Sequence, residues 1–241
     1  MDYAPMNREA LRQAAEMFHV KLDETALDRF AEYARLLQEW NEKINLTAIT
    51  ATDEIVTKHF ADSLSVLPLL NLPQGAKLID VGTGAGFPGL PLLIARPDLQ
   101  VTLLDSTKKK LNVLEDILAQ LSLSATLLHA RAEDAGQNPA LREQFDAATA
   151  RAVAHLRELS EYCLPFVRVG GTFAAMKSAT AETELYEAKG TLHLLSGAVD
   201  RVETFPLADA GTRSVILIKK RAPLSAKYPR PSAKIAKNPL K

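Results

Sequence analysis

Four glycines lie within eight residues of the segment LIDVGTGAGFPG, which spans residues 78–89 and begins with an apolar run. Glycines this close together cost conformational entropy on folding, so the chain must need a backbone without Cβ atoms here, as when a ligand binds against it. In an open α/β sheet, ligands bind beyond the carboxyl ends of the strands, commonly at the turn after the first strand. The segment therefore predicts a ligand site at a strand-to-helix turn.

Short apolar segments alternate with helical patterns from residue 76 onward. The strand candidates are KLIDVG, VTLLDS, ATLLHARA, FDAATARAV and GTFAAMKS, and the helical pattern KKKLNVLEDILAQL separates the second from the third. Such alternation predicts βαβ units and a parallel sheet buried on both faces. Too few residues separate AVDRVETFPL from TRSVILIKKR for a crossover helix, so these two segments predict an antiparallel hairpin. We therefore expect an α/β fold with a mainly parallel sheet that ends in a hairpin.

The segments on either side of this core differ from it. In residues 1–71 apolar side chains recur at three- and four-residue steps, with Asp23 placed as a helix N-cap, which predicts a helical region packed on the core. The apolar positions are Leu22, Ala26, Phe30, Tyr33, Leu37 and Trp40. Residues 72–221 form the predicted core. Residues 222–241 are rich in Pro, Ser and Lys, and we expect this tail to be extended or disordered when alone.

The charge is distributed unevenly along the chain. The 29 basic residues balance the 29 acidic ones, but nine of the basic residues follow Asp209, the last acidic residue. An acidic body with a basic tail suggests a polyanionic partner, and a tail that only aids solubility explains the same pattern. Both interpretations stay open at this point.

Cysteine usage and the apolar runs indicate the compartment. Cys163 is the sole cysteine, so the chain cannot form an internal disulfide, which agrees with a reducing environment. The N-terminus has no apolar core of a signal peptide, and the most apolar runs are short and broken by proline. We expect a cytoplasmic protein that does not insert into a membrane.

The glycine segment departs from two well-known phosphate-binding patterns. In the dinucleotide pattern G-x-G-x-x-G, Phe87 stands where the third glycine belongs, and no lysine is available for a P-loop. Asp80 at the same turn suits a cationic ligand such as S-adenosylmethionine better than a pyrophosphate. Asp105, about twenty residues further on at the end of the second strand, can accept hydrogen bonds from both ribose hydroxyls. It supports an adenosine-containing ligand without choosing between NAD and S-adenosylmethionine.

The sequence offers no covalent or metal-dependent catalyst. Cys163 lies in an amphipathic helical pattern and is expected in the core, and the five histidines show no metal-ligand spacing, so we expect no metal site. The Asn/Asp-Pro-Pro-aromatic motif of exocyclic amino methyltransferases is absent. We interpret His59 and His155 as structural.

Six segments in order resemble the bacterial 16S ribosomal RNA guanine-N7 methyltransferase family, also called glucose-inhibited division protein B. They are WNEKINLTAIT, KHFADSL, LIDVGTGAGFPGLPL, TLLDSTKKKLNVLE, ARAED and FDAATARAVA, and the resemblance covers nearly the whole chain. It implies a class I S-adenosylmethionine-dependent methyltransferase fold, Rossmann-like with seven strands and an N-terminal helical extension. The implied reaction methylates N7 of a guanine in the 530 loop of 16S ribosomal RNA and releases S-adenosylhomocysteine. We expect a monomer that acts on this RNA, on the small ribosomal subunit or on its assembly intermediate.

The resemblance also implies which residues bind the cofactor. The turn would contact S-adenosylmethionine, Asp105 would hold the ribose, the ARAED segment would frame the adenine, and Arg151 would complete the pocket. The cofactor-binding set is Gly82, Gly84, Phe87, Asp105, Ala132, Glu133 and Arg151. Because guanine N7 already exposes a lone pair, its methylation needs alignment and no strong base, so any catalytic role of Arg151 would be positioning. An NAD-dependent oxidoreductase and a non-catalytic ribosome-binding protein remain the alternatives.

Overall fold

The computed structural model of the chain describes residues 3–151, 154–178, 181–208 and 210–241. Its strands are β1 (Lys77–Val81), β2 (Gln100–Asp105), β3 (Thr126–His129), β4 (Phe145–Arg151), β5 (Val167–Lys177), β6 (Gly197–Leu207) and β7 (Gly211–Lys220). The last two residues of the fourth strand candidate, 152–153, lie outside the described residues.

Helices surround these strands. The N-terminal ones are α1 (Arg8–Met17), α2 (Glu24–Lys43), α3 (Thr52–Glu54), a π-helical segment (Ile55–Ala61), α4 (Asp62–Leu64) and α5 (Leu67–Leu70). The remainder are α6 (Gly89–Ala95), α7 (Lys108–Gln120), α8 (Ala132–Ala135), α9 (Leu156–Cys163), α10 (Ala181–Leu194) and α11 (Ser232–Lys237). Within the described ranges, no helix combines the length and the apolar character needed to cross a membrane.

All seven strands form one sheet in the order β3-β2-β1-β4-β5-β7-β6. Neighbouring strands from β3 to β5 are parallel, whereas β7 pairs antiparallel with both β5 and β6. The mainly parallel sheet with a terminal hairpin is therefore confirmed. The chain moves outward from β1 to β3 and returns to β4 on the other side of β1, so the strand order reverses between β1 and β4. Such a reversal opens a crevice at the carboxyl ends of the strands.

Apolar side chains bury the sheet on both faces. One cluster of buried residues joins strands such as β1 to α1, α2, α6 and α7, and a second joins β4 and β5 to α9 and α10. In β4 the three small residues Ala147, Ala148 and Ala150 are all fully buried, on both sides of the strand. Burial of alternate side chains on opposite faces is what a central strand of a covered parallel sheet requires.

The N-terminal region contacts the glycine turn through α2. The carboxylate of Asp23 accepts a hydrogen bond from the Ala26 N–H at 2.7 Å, so the predicted N-cap is confirmed. Phe30 and Tyr33 on this helix are fully buried. The π-helical segment follows between α3 and α4, and interruptions of this kind in a helix often occur at functional sites. The division of the chain at residues 71 and 221 remains a prediction.

Residues 222–241, which we expect to be extended or disordered when alone, pack on the body of the protein. This segment contains α11, and its side chains Tyr228 and Ile235 are buried. The tail lacks the apolar content to fold alone, but the body supplies partners for it: the Arg142 guanidinium donates hydrogen bonds to three of its backbone carbonyls. Order in this segment therefore comes from tertiary contacts that composition does not reveal.

Candidate active site

The glycine turn begins where β1 ends. Gly82, Gly84 and Gly86 have φ angles of 72°, 60° and 103°, a region that favours glycine over residues with a Cβ. The N–H groups of Gly82 and Thr83 both donate to the carbonyl oxygen of Leu104, at 2.9 and 3.0 Å. The turn is thereby attached to the end of β2 and lies in the crevice at the strand reversal.

Asp80 stabilises the turn from inside the protein. Its fully buried carboxylate accepts hydrogen bonds from Thr83 Oγ1 at 2.7 Å, from the Gly89 N–H at 2.9 Å and from Thr149 Oγ1 at 3.2 Å. Burial raises the pKa of this carboxyl to about 6, against the opposing effect of the three hydrogen bonds. Asp80 thus holds the turn in shape, and its suitability as the neighbour of a cationic ligand stays a prediction. Asp80 accepts the hydrogen bond of the first N–H group of α6, that of Gly89. In a dinucleotide enzyme the N–H groups at this helix end would bind pyrophosphate.

A pocket of about 260 Å³ lies beside the turn, between the ends of β1, β2 and β3. Two carboxylates in it, those of Asp105 and Glu133, belong to residues that are only 7% exposed. Asp105 accepts hydrogen bonds from the N–H groups of Gly84 at 2.9 Å and Thr107 at 2.8 Å, which fix its orientation. The lining is Val81, Gly82, Leu104, Asp105, Ser106, Ala130, Arg131, Ala132, Glu133, Ala154, Glu158, Tyr162 and Ser232. We call it the carboxylate pocket.

The carboxylate pocket brings together four of the seven predicted cofactor-binding residues. Gly82, Asp105, Ala132 and Glu133 all line it, whereas Gly84, Phe87 and Arg151 do not. Gly84 contacts the pocket indirectly, through its hydrogen bond to Asp105.

Phe87 lies in an aromatic cluster behind the turn. Its ring stacks on the His59 ring with centroids 4.3 Å apart and on the Tyr33 ring at 5.5 Å, and it is 5% exposed. The Arg151 guanidinium also lies over the Phe87 ring, with Cζ 4.8 Å from its centroid. Phe87 therefore connects the glycine turn to the N-terminal helices and to Arg151.

Arg151 is held by three groups of the segment KHFADSL. Its Nη1 donates to the Lys58 carbonyl at 3.2 Å and to Asp62 Oδ2 at 3.0 Å, and its Nη2 donates to His59 Nδ1 at 3.1 Å. Three of the five N–H donors of this guanidinium are thus accounted for. The other two have no hydrogen-bond acceptor within the described part of the chain. A planar donor fixed in this way can present those N–H groups to a bound molecule in one orientation.

Arg151 lines a second cavity, of about 630 Å³, which we call the arginine cavity. Arg213 enters it from β7 and approaches the same carboxylate, with its Nε 3.5 Å from Asp62 Oδ1. Burial raises the pKa of Asp62, although the neighbouring Arg151 and Arg213 oppose the shift. The lining is Ile49, Lys58, His59, Asp62, Arg151, Ala154, His155, Met176, Lys177, Ser178, Glu184, Phe205, Arg213, Ser214 and Val215. Ala154 lines both cavities, so the two adjoin.

The hydrogen bonds around His59 determine its tautomer. Arginine only donates, so Nδ1 accepts from Arg151, and the proton of the neutral ring must be on Nε2, which donates to Thr47 Oγ1 at 2.9 Å. Burial and the charge of Arg151 together lower the pKa of His59 to about 3. His59 is therefore a neutral acceptor that orients Arg151.

Sequence reasoning missed Tyr33, Asp62 and the orienting role of His59. The Tyr33 hydroxyl donates to the Ala85 carbonyl at 2.5 Å, which attaches α2 to the glycine turn. A signal for the other two was present, because His59 and Asp62 stand three residues apart in KHFADSL and share one helix face.

Cys163 is buried in the core, as predicted. Burial raises the pKa of its thiol well above the usual range, which disfavours the thiolate that a nucleophile requires.

Comparison with known proteins agrees with this arrangement. Residues 26–214 match the family model described as GidB, rRNA small subunit methyltransferase G. A curated protein named ribosomal RNA small subunit methyltransferase G from Acetivibrio thermocellus is 47% identical over 97% of this chain and 96% of its own length. One of the same name from Lactobacillus delbrueckii subsp. bulgaricus is 47% identical over 98% of this chain and its own full length.

Solved structures show the same fold at low sequence identity. A SAM-dependent O-methyltransferase from Thermotoga maritima matches with a TM-score of 0.54 and 18% identity, over 78% of this chain and 72% of that one. A variant of the 16S rRNA (adenine(1408)-N(1))-methyltransferase from Catenulisporales acidiphilia matches with a TM-score of 0.54 and 16% identity, over 63% of this chain and 88% of that one. The fold is that of the S-adenosylmethionine-dependent methyltransferases, and the near full-length identity to its curated relatives means that this chain belongs to the ribosomal RNA small subunit methyltransferase G family.

Proposed function

We propose that this methyltransferase transfers a methyl group from S-adenosylmethionine to N7 of a guanine in 16S ribosomal RNA. The observation that carries the proposal is the junction of two unlike cavities at Ala154: a carboxylate pocket and an arginine cavity. The names of the relatives support ribosomal RNA as the substrate. The two cavities would bind the cofactor and the base separately.

The carboxylate pocket fits the nucleoside of S-adenosylmethionine. Asp105 and Glu133 are acceptors for hydroxyl, amino and cationic groups, and Val81, Leu104 and Ala130 offer apolar surface to a purine ring. When bound, S-adenosylmethionine would supply a methyl group on a positively charged sulfonium. Gly82, Asp105, Ala132 and Glu133 are the residues that would hold it.

The same pocket disfavours NAD. A pyrophosphate needs N–H donors at the start of α6, but the Gly89 N–H donates to Asp80 and the N–H groups of Gly86 and Phe87 donate to the Thr83 carbonyl. Two buried carboxylates nearby would also repel the phosphates.

The arginine cavity suits a guanine base. Guanine presents two adjacent acceptors, O6 and N7, on one edge, and an arginine is their common partner. In this reaction N7 must keep its lone pair for the methyl group, so the guanidinium should donate to O6. Because His59, Asp62 and the Lys58 carbonyl fix Arg151, its remaining N–H donors can address one acceptor and leave the other. Arg151 would act by positioning, with no proton transfer.

The test is nucleoside analysis after reaction with methyl-labelled S-adenosylmethionine. The purified protein is incubated with 16S ribosomal RNA, with an assembly intermediate or with the whole small subunit, and the digested RNA is analysed by mass spectrometry. We expect label in 7-methylguanosine from a single site. Label in another nucleoside would refute the N7 assignment, and no transfer to any of the three substrates would favour a non-catalytic ribosome-binding protein.

Calorimetry tests the cofactor independently. We expect S-adenosylhomocysteine to bind and NAD not to bind, and the reverse would restore the oxidoreductase alternative. We further propose a cytoplasmic monomer. Sedimentation of the purified protein tests its oligomeric state, and fractionation of the cells that make it tests its location.

A further inference from the structure

Residues 222–241, which we call the C-terminal segment, are attached to the protein body by side chains of the body. Arg142 donates to the carbonyls of Leu224 at 2.9 Å, Ser225 at 3.1 Å and Tyr228 at 2.8 Å. Gln137 Nε2 donates to the Pro229 carbonyl at 2.8 Å. The backbone of this segment is therefore bound in place before any partner arrives.

Two of its side chains are used in the same attachment. The Arg230 guanidinium and backbone N–H all donate to the Glu161 carboxylate, at 2.7 to 2.9 Å, and the Glu161 side chain is fully buried. The Tyr228 ring is 5% exposed. Neither side chain is available to an external partner, so a polyanion would have to contact other residues of the segment.

Three of the four lysines of the segment are in the opposite situation. Lys227, Lys234 and Lys237 are all exposed, and within the described residues none of them has a carboxylate within ion-pair distance. Some basic side chains elsewhere on the surface are paired, as Arg96 is with Asp98 at 2.6 Å and Arg168 with Asp146 at 2.8 Å. Other exposed lysines, such as Lys21 and Lys43, also lack an ion pair within the described residues. Since the chain has no acidic residue after Asp209, these three lysines have no acidic side chain within their own segment. Such a surface attracts a polyanion.

The segment also borders the carboxylate pocket. Ser232, the first residue of α11, lines that pocket together with Glu158 and Tyr162 of α9. Lys234 and Lys237 follow on the same helix, three residues apart, and so project from one side of it. Two of the three lysines therefore lie on the same short helix as a residue that lines the carboxylate pocket.

We propose that Lys227, Lys234 and Lys237 form a surface that binds the phosphate backbone of the RNA whose base enters the arginine cavity. The inference rests on the proposed function, and it adds a part of the chain that lies beyond residues 26–214, the range of the family match. Because the backbone is already fixed by Arg142 and Glu161, binding orders three lysine side chains and no main chain, which lowers the entropy cost.

The test compares two triple variants with the same change in charge. One is Lys227→Gln, Lys234→Gln and Lys237→Gln. The control is Lys21→Gln, Lys43→Gln and Lys77→Gln, at three exposed positions in the N-terminal region and at the start of β1. Affinity for a 16S ribosomal RNA transcript is measured by filter binding at several salt concentrations, and S-adenosylhomocysteine affinity and melting temperature check the fold of each variant.

For the C-terminal variant we expect RNA affinity to fall about tenfold or more, and the slope of log affinity against log salt to become shallower by roughly 0.7 to 0.9 per lost phosphate contact. The control should change both quantities far less, and both variants should bind S-adenosylhomocysteine normally. Equal changes in the two variants would mean that only net charge matters, and an unchanged affinity would mean that the lysines merely aid solubility. Either result overturns the inference.

Two further outcomes distinguish a failure of this inference from a failure of the proposed function. If the C-terminal variant binds the intact small subunit less well but binds the transcript normally, the partner is a ribosomal protein and the inference is wrong. If the wild-type chain binds the transcript through these lysines but transfers no methyl group in the assay described above, the RNA-binding surface is supported and the proposed reaction is refuted.

Discussion

The carboxylate pocket adjoins the residues around Arg151, yet the two regions are built in different ways. We call the second region, formed by Arg151 with Tyr33, Lys58, His59, Asp62 and Phe87, the Arg151 cluster. The carboxylate-pocket residues that the sequence predicted stand at strand ends or shortly after them. Gly82 directly follows β1 and Asp105 is the last residue of β2. Ala132 and Glu133 begin α8, shortly after β3. The Arg151 cluster, in contrast, is assembled from α2, the π-helical segment, α4, the glycine turn and β4.

The two regions also differ in how their charged groups are arranged. The carboxylate pocket leaves acidic groups accessible at its lining, as a ligand with hydroxyl groups and a positive charge requires. The cluster surrounds a cation with a buried carboxylate, a backbone carbonyl and a histidine kept neutral by its burial. The first arrangement supplies binding, and the second holds one side chain in one orientation. Variants that affect one region and spare the other should separate binding from positioning.

The largest effect is expected at Gly86, where the glycine turn packs against Tyr33 of α2. A Cβ there would lie 2.7 Å from the Tyr33 hydroxyl and 3.0 Å from Leu114 Cδ2, at a φ of +103°. Gly86→Ala should lower the free energy of unfolding by about 3 kcal/mol or more, since strain at positive φ adds to overpacking. Gly84→Ala is the matched control, because its φ is +60° but the nearest atom is 4.0 Å away. Denaturant unfolding should give a loss of about 1 to 2 kcal/mol there, and equal losses would mean that α2 does not constrain the turn.

Asp105→Ala tests the carboxylate pocket alone. Loss of charge-assisted hydrogen bonds to the ribose should weaken S-adenosylhomocysteine binding by on the order of 2 to 4 kcal/mol, measured by calorimetry. Asp134→Ala, at an exposed acid on neighbouring α8, should leave that affinity unchanged. RNA affinity should be the same in both variants. A normal affinity of the Asp105 variant for S-adenosylhomocysteine would refute the ribose assignment.

Arg151→Lys tests the cluster alone. Lysine keeps the charge but cannot reproduce three fixed hydrogen bonds, so the methyl-transfer rate at saturating cofactor should fall about 100-fold, the usual cost of losing one oriented donor. S-adenosylhomocysteine affinity should stay within about twofold, since Arg151 does not line the carboxylate pocket. Arg168→Lys, in an ion pair with Asp146 at the start of β5, is the control. If Arg151→Lys weakened cofactor binding as strongly as it slowed transfer, Arg151 would belong to the cofactor site after all.

The same contrast explains what the sequence could reveal. The strands, the hairpin and the glycine turn are encoded locally, in periodicity and in glycine spacing, so the sheet and the position of Asp105 could be predicted. The Arg151 contacts join residues 89 to 93 positions apart in the chain, and no local pattern reports such a pairing. The packing of the C-terminal segment could not be predicted for a related reason, because it depends on Arg142 and Glu161 in the body. The sequence also located Asp80 at the glycine turn, but it did not reveal that the Asp80 side chain is fully buried.

The smallest expected effect concerns the pH dependence of stability, and it isolates His59. In the folded protein the pKa of His59 is lowered to about 3, whereas the unfolded chain has the ordinary value near 6.5. Between these two pH values the unfolded state therefore binds a proton that the folded state does not. The stabilisation from a neutral His59 is complete above pH 6.5 and is lost progressively as the pH falls toward 3.

The buried carboxyls Asp62 and Asp80 act with the opposite sign. Their pKa values are raised in the folded protein, so protonation as the pH falls favours the folded state. The pH profile of the wild-type chain is thus a sum of opposing contributions, and only a difference between two chains can isolate the histidine. His59→Asn offers that difference, because the asparagine amide does not titrate and its carbonyl oxygen can still accept from Arg151.

Urea unfolding of the wild type and of His59→Asn at pH 7 and pH 5 gives four free energies. Between pH 7 and pH 5 the free energy of unfolding of the wild type should fall by about 2 kcal/mol relative to that of His59→Asn, because the unfolded wild type binds a proton that the folded one does not. Asp62 and Asp80 contribute alike to both chains and cancel in the comparison when Arg151 keeps its place. An unchanged methyl-transfer rate at pH 7 checks the position of Arg151. A difference near zero would mean that His59 accepts a proton in the folded state, and a protonated His59 could not accept the hydrogen bond that orients Arg151.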